Sequence, residues 1–89
     1  MALILIKHGL HHAVEETKLR CAADGDDVVL VQDGVFWAIS EEIKAIKGKV
    51  SAIEDDFLAR GYCPERSLVP LIGYAEMVDI IEAQPKTIG

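Results

Sequence analysis

The sequence predicts an α/β fold, a three-layer sandwich around a small, mainly parallel four-stranded sheet. Three observations carry that expectation. Short apolar runs recur at Ala2 to Ile6, Val28 to Val31, Val50 to Ile53 and Leu68 to Ile72, each about as long as a buried strand. Every run gives way to polar or glycine-containing residues and then to a helical pattern, which is the rhythm of βα units and parallel neighbours. Aromatic residues make up only 6% of the chain against 51% hydrophobic, so the core must be aliphatic, as suits strands covered by helices. With 89 residues the chain is expected to form one domain, 1–89, that buries about 60 to 65% of its unfolded surface.

Taken in order, the first strand is Ala2-Leu3-Ile4-Leu5-Ile6. It is far too short to span a membrane, and it lacks the basic start and cleavage site of a secretory signal. A first helix is expected from about His11 to Ala23, with Leu10, Val14, Thr17 and Cys21 sharing its inner face and Glu15, Glu16, Lys18 and Arg20 outside. Asp24-Gly25-Asp26 stops it. Strand two runs into Gln32-Asp33-Gly34, where a polar pair and a glycine interrupt the apolar run and turn the chain into a short helical turn, Val35 to Ile39. Ser40 then serves as a fresh N-cap, leading through Ile46 to Gly48. Strand three begins near Lys49, and Asp55-Asp56 opens a short helix closed by Gly61. Strand four leads to a last helix, about Tyr74 to Gln84, with Tyr74, Met77, Val78, Ile80 and Ile81 inward and Pro85 ending it.

Parallel strands with right-handed crossovers place all strand carboxyl ends at one pole, where ligands of open α/β sheets bind. Lys7, His8 and Gly9 follow strand one. Gln32, Asp33 and Gly34 follow strand two, Glu54 and Asp55 follow strand three, and Gly73 and Tyr74 follow strand four. These residues form a polar crown, with His8, Gln32, Asp33, Gly34 and Tyr74 as its candidate binding residues. A positive φ at Gly34 would make Gly34→Val destabilising. The acidic corner disfavours a bound phosphate, and "DG" is too short for a phosphate-cradling loop.

The remaining chemistry-bearing residues are weighed against this pole. His8, His11 and His12 match no zinc-ligand spacing and are read as solvent-exposed, with His8 the candidate for a polar or acid-base role. No metal and no cofactor is expected. Both cysteines, Cys21 and Cys63, are read as reduced thiols. Cys21 is expected on the apolar face of helix one and Cys63 in a loop, both toward the pole opposite the crown. Phe36 and Trp37 are adjacent and diverge by about 100° on a helical turn, so one of them is a candidate for an interface with another chain. The formal charge of −6 offers no footprint for a phosphate backbone, so direct nucleic-acid binding is not expected.

Three phrases in order, "VVLVQDGVFWAI", "IEDDFLARGY" and "VPLIGYAEMVDIIEAQPKTIG", resemble the TusB/DsrH family of small sulfur-relay proteins, within the wider DsrE/DsrF/DsrH-like group. The resemblance covers essentially the whole chain. It implies a DsrEFH-like α/β sandwich, oligomerisation, and a part in passing persulfide sulfur between protein cysteines in the cytoplasm. One branch of the family, TusB with TusC and TusD, carries sulfur toward 2-thiouridine at the tRNA wobble position; in the sulfur-oxidising branch DsrH joins DsrE and DsrF. A homodimer is the alternative assembly. Some members carry a cysteine in helix one, but that position corresponds to about Lys18 here, one turn before Cys21, and TusB members commonly lack a catalytic cysteine. The resemblance therefore implies a subunit without a catalytic cysteine of its own. Two alternatives stand beside it: a sulfurtransferase with Cys21 as persulfide carrier, and a small-molecule-binding module using Gly9, Gly34 and Gly73.

Overall fold

In the computed structural model, which describes residues 2–9 and 13–88, the chain is an α/β sandwich on a parallel sheet. The strands are β1 (Leu3–Ile6), β2 (Asp27–Leu30), β3 (Lys49–Ile53), β4 (Leu71–Ile72) and β5 (Thr87–Ile88), and the helices are α1 (Ala13–Arg20), α2 (Glu54–Ala59) and α3 (Tyr74–Ala83). The sheet has five strands in the order β4-β3-β2-β1-β5, and every pairing is parallel. Four strands were expected. The fifth is a two-residue segment after α3 that carries no periodic signal and takes its form from pairing with Leu3 and Ile4 of β1.

This order explains where the helices lie. Right-handed crossovers that step from β1 through β2 and β3 to β4 keep their connections on one face, and the return from β4 to β5 puts its helix on the other. The two cores divide accordingly. Ile4, Ile6, Val28, Leu30 and Ala52 face Leu19 from α1, Ala22 just beyond its end, Phe57 from α2, and Val35, Trp37, Ala38 and Ile43 from the segments between β2 and β3. On the opposite face Leu3, Val29, Val31, Ile53 and Ile72 are covered by Met77 and Ile80 of α3. Neighbouring residues of β1, β2 and β3 thus serve different cores, as a period of two requires.

The β2–β3 connection is tighter than an α-helix. Gln32–Ile39 and Glu41–Ala45 are 3₁₀ helices, and between them the hydroxyl of Ser40 accepts from the amide of Glu42 at 3.3 Å, the expected N-cap.

Helix one corrects the sequence reading. Glu15, Leu19 and Ala22 turn inward, whereas Val14 is 59% exposed and Thr17 and Cys21 are exposed. The helix is rotated by about one residue, 100°, because Glu15 is drawn inside by backbone hydrogen bonds that hydrophobic periodicity does not register. Leu10, His11 and His12 lie outside the described residues. On α3 only Met77 and Ile80 pack on the core, while Tyr74, Val78 and Ile81 are exposed, since one helix lying on a flat sheet can bury only about a third of its circumference. Among the described residues no helix is long and apolar enough to cross a membrane.

Candidate functional site

The strand carboxyl ends do converge, and Asp56 is the residue that joins them. At the second position beyond the paired end of β2, Gln32 takes a positive φ of 50°. Its amide donates to Asp56 Oδ2 at 2.7 Å, and the Tyr74 hydroxyl donates to Asp56 Oδ1 at 2.8 Å. One carboxylate therefore ties the corner after β2 to the start of α3. This junction lies where the connections leaving β3 and β4 diverge to opposite faces of the sheet, the kind of switch point at which α/β sheets form their crevices.

Arg60, one helical turn after Asp56, extends the network. Its Nε donates to Asp33 Oδ1 at 3.0 Å and a terminal nitrogen donates to the Asp56 carbonyl at 3.2 Å. Asp33 is 70% exposed on its side chain, so the ion pair adds little stability and acts mainly to orient the guanidinium.

Tyr74 keeps its proton. The hydrogen bond to Asp56 raises its pKa above the usual phenol range, and some desolvation and the negative charges of Asp56 and Asp55 act in the same direction.

The β1–α1 loop is held by a different carboxylate. Glu15 Oε2 accepts from the amides of Lys7 at 2.6 Å and His8 at 3.2 Å, and its other oxygen meets Lys18 Nζ at 3.0 Å. Burial alone would raise the Glu15 carboxyl, but the hydrogen bonds from Lys18, His8 and Lys7 outweigh it and hold the pKa below the ordinary value. The His8 carbonyl in turn accepts from Trp37 Nε1 at 3.1 Å, tying this loop to the core.

Gly34 plays a different part from the one its sequence suggested. It is absent from the positive-φ residues, and strain of that kind falls on Gln32. Glycine is needed at 34 because a Cβ there would lie 2.0 Å from the Ile6 carbonyl oxygen. Gly34 is buried and so offers a ligand no surface. Gly73, by contrast, has open space around it.

Gln32, Asp33 and Tyr74 are thus brought together through Asp56 and Arg60, and His8 lies at the same pole, bound through its backbone. The sequence reading did not single out Asp56, Arg60 or Glu15 as site residues. The i, i+4 spacing of Asp56 and Arg60 on one short helix was the available signal; the burial of Glu15 had none.

The aromatic pair separates as its spacing requires. Trp37 is 2% exposed, buried within its own chain, and Phe36 is 42% exposed. Phe36 packs edge-on against Tyr62 with ring centroids 5.4 Å apart and lies beside Gly9.

Neither thiol joins the crown. Cys21 follows α1, which runs back from the crown toward the start of β2, and Cys63 follows α2; both are exposed. The exposure of Cys21 corrects the expectation of a place on the apolar face. Among the described residues no group of three or more His, Cys, Asp or Glu could hold a metal ion. Chemically, the crown offers carboxylates, a guanidinium and a protonated phenol, groups that recognise a polar surface.

Comparisons with known proteins bear on the whole chain. The family model described as DsrH like protein matches residues 3–87. Protein TusB of Enterobacter sp. (strain 638) is 35% identical over 86 residues, 90% of each chain. Protein TusB of Yersinia pestis (strain Pestoides F) is 34% identical over 84 residues, 88% of each. A solution NMR structure of protein Tm0979 from Thermotoga maritima matches with a TM-score of 0.81 at 53% identity, covering 93% of both chains. A second solution structure of that protein, provisionally named a sulfur transferase, matches with a TM-score of 0.73 at 52% identity over 100% of both.

Proposed function

The chain belongs to the DsrH-like family that includes TusB, and from that premise we propose that it is a cytoplasmic sulfur-relay subunit that helps persulfide sulfur pass between partner proteins, toward 2-thiolation of the tRNA wobble uridine. It assembles with TusC/TusD-like or DsrE/DsrF-like chains, docks through the crown formed by His8, Gln32, Asp33 and Tyr74, and carries no sulfur on its own cysteines. Phe36 is the exposed aromatic at the edge of this surface and the anchor for a partner. Trp37, buried in its own core, supports the surface from beneath.

The observation that carries this reading is the separation of the crown from both thiols. A sulfur carrier needs its thiolate at the site of exchange. Here the convergent pole is instead locked by Asp56 into a hydrogen-bonded surface. The acidic balance of the chain, −6, suits a subunit that meets proteins and leaves RNA contact to others.

A second reading has one observation in its favour. Cys21 is exposed beyond the end of α1, so it is open to act as a persulfide carrier. Reconstitution of the relay with a labelled protein persulfide as donor separates the two. Under our reading, the Cys21→Ser/Cys63→Ser double variant supports sulfur delivery and thiouridine formation at the wild-type rate, and omission of the chain abolishes them. Label trapped on Cys21, together with loss of delivery in Cys21→Ser alone, would establish the carrier reading instead.

A further inference from the structure

Between α1 and the second 3₁₀ segment lies a cavity of about 520 Å³, within the size range of small-molecule sites. It is distinct from the crown, being lined by the C-terminal half of α1 and by the end of the segment that leads into β3. Its apolar lining comes from Leu19, Ala22, Trp37 and Ile46. The first three belong to the buried core, so a ligand here meets the edge of the core itself.

The charged lining carries one residue of each sign on each wall: Glu16 and Arg20 on α1, Glu42 and Lys47 on the other side. Among the described residues none of these four side chains is engaged in an ion pair. An anion alone would meet two carboxylates, and a cation alone a guanidinium and an ammonium. A ligand with one charge of each sign satisfies both pairs, and an apolar group between its charges covers the edge of the core. The end of a protein chain supplies only one of the two charges, so the pattern favours a free small molecule.

We infer that the cavity beside Trp37 binds a small zwitterion with apolar side chains, of the short-peptide class, its ammonium recognised by Glu16 and Glu42 and its carboxylate by Arg20 and Lys47. Trp37 carries the occupancy toward the crown, because the indole that walls the cavity also donates to the His8 carbonyl at 3.1 Å. This goes beyond the sulfur-relay reading and does not depend on it.

The test is titration of the intact chain with L-leucyl-L-leucine, followed by the fluorescence of Trp37, the only tryptophan in the sequence, and by its indole N–H resonance. Both signals should change saturably with a Kd at or below about 1 mM, a modest affinity for a ligand of this size. N-acetyl-L-leucyl-L-leucinamide, with the same apolar body and neither charge, should bind about tenfold more weakly or worse. Arg20→Gln/Lys47→Gln should weaken the dipeptide by a similar factor without weakening L-leucyl-L-leucinamide, which carries only the ammonium. Glu16→Gln/Glu42→Gln should likewise weaken the dipeptide without weakening N-acetyl-L-leucyl-L-leucine, which carries only the carboxylate. The comparison among the four peptides on the wild-type chain needs no variant to fold. No saturable change with the dipeptide, equal binding of the uncharged peptide, or binding that leaves the Trp37 resonance unmoved overturns the inference. Binding of either singly charged peptide as tightly as the dipeptide identifies a protein chain end as the occupant and also overturns it. None of these results bears on the relay reading, which stands or falls on sulfur delivery.

Discussion

The two faces of the sheet are covered very differently. One carries α1, α2 and the 3₁₀ segments between β2 and β3, and its covering side chains include Phe57 and Val35, both fully buried. The other carries α3 alone, none of whose residues is fully buried. Topology is the cause: three crossovers advance in one direction and share a face, and a single crossover returns. The comparison teaches that the chain concentrates its stability on the thickly covered face, while on the thin one Tyr74, Val78 and Ile81 of α3 stay exposed.

The most severe way to break this contrast is Phe57→Ala. Phe57 is 0% exposed, and its loss should cost about 3 to 5 kcal/mol, measured by denaturant unfolding. A cost below about 1 kcal/mol would mean that the thick face is not the stabilising one. Next comes Gly34→Val, expected to cost about 3 kcal/mol because the new Cβ meets the backbone oxygen of Ile6, which cannot swing aside. An unchanged midpoint would show that the β2 corner is not packed against β1 as described.

Glu15→Gln should cost about 1 to 2 kcal/mol at neutral pH, as charge-assisted hydrogen bonds to Lys7, His8 and Lys18 are weakened. Its sign with pH follows from the lowered pKa of Glu15. The carboxylate's contribution is fully present above the unfolded value of about 4.3 and is lost as pH falls through the lower folded value. Wild type and Glu15→Gln should therefore converge in stability as the medium is acidified below about pH 4; parallel curves throughout would refute the clasp.

The smallest effect sharpens the comparison from the other side. Val78→Ser on the exposed side of α3 should change the stability of the isolated chain by no more than about 0.5 kcal/mol, read from the same unfolding curves. A larger loss would mean that α3 relies on that side chain within its own fold.

Much of the fold was legible in the residues. The apolar runs marked four of the strands, Ser40 marked a cap, Gly34 marked a corner, and the divergence of Phe36 from Trp37 followed from their adjacency. Resemblance in three phrases supplied the family. Where the reading failed, a long-range polar contact outweighed local pattern. Glu15 rotated α1 against its apolar periodicity, exposing Val14 and Cys21. Asp56, placed by sequence only at a helix start, became the residue that joins Gln32 to Tyr74. The inward set assigned to α3 was too wide, because periodicity reports that a face is apolar without saying what lies across from it.

By itself the sequence determined the parallel βα order, and with it the gathering of polar residues at one pole, because strand length, turn chemistry and crossover handedness are local or nearly so. Only the tertiary structure decided which face of α1 turns inward, that the last two described residues close a fifth strand, and that one side of the sheet is covered by a single helix. Those outcomes depend on hydrogen bonds and packing between residues far apart in the chain, whose energies no local periodicity contains.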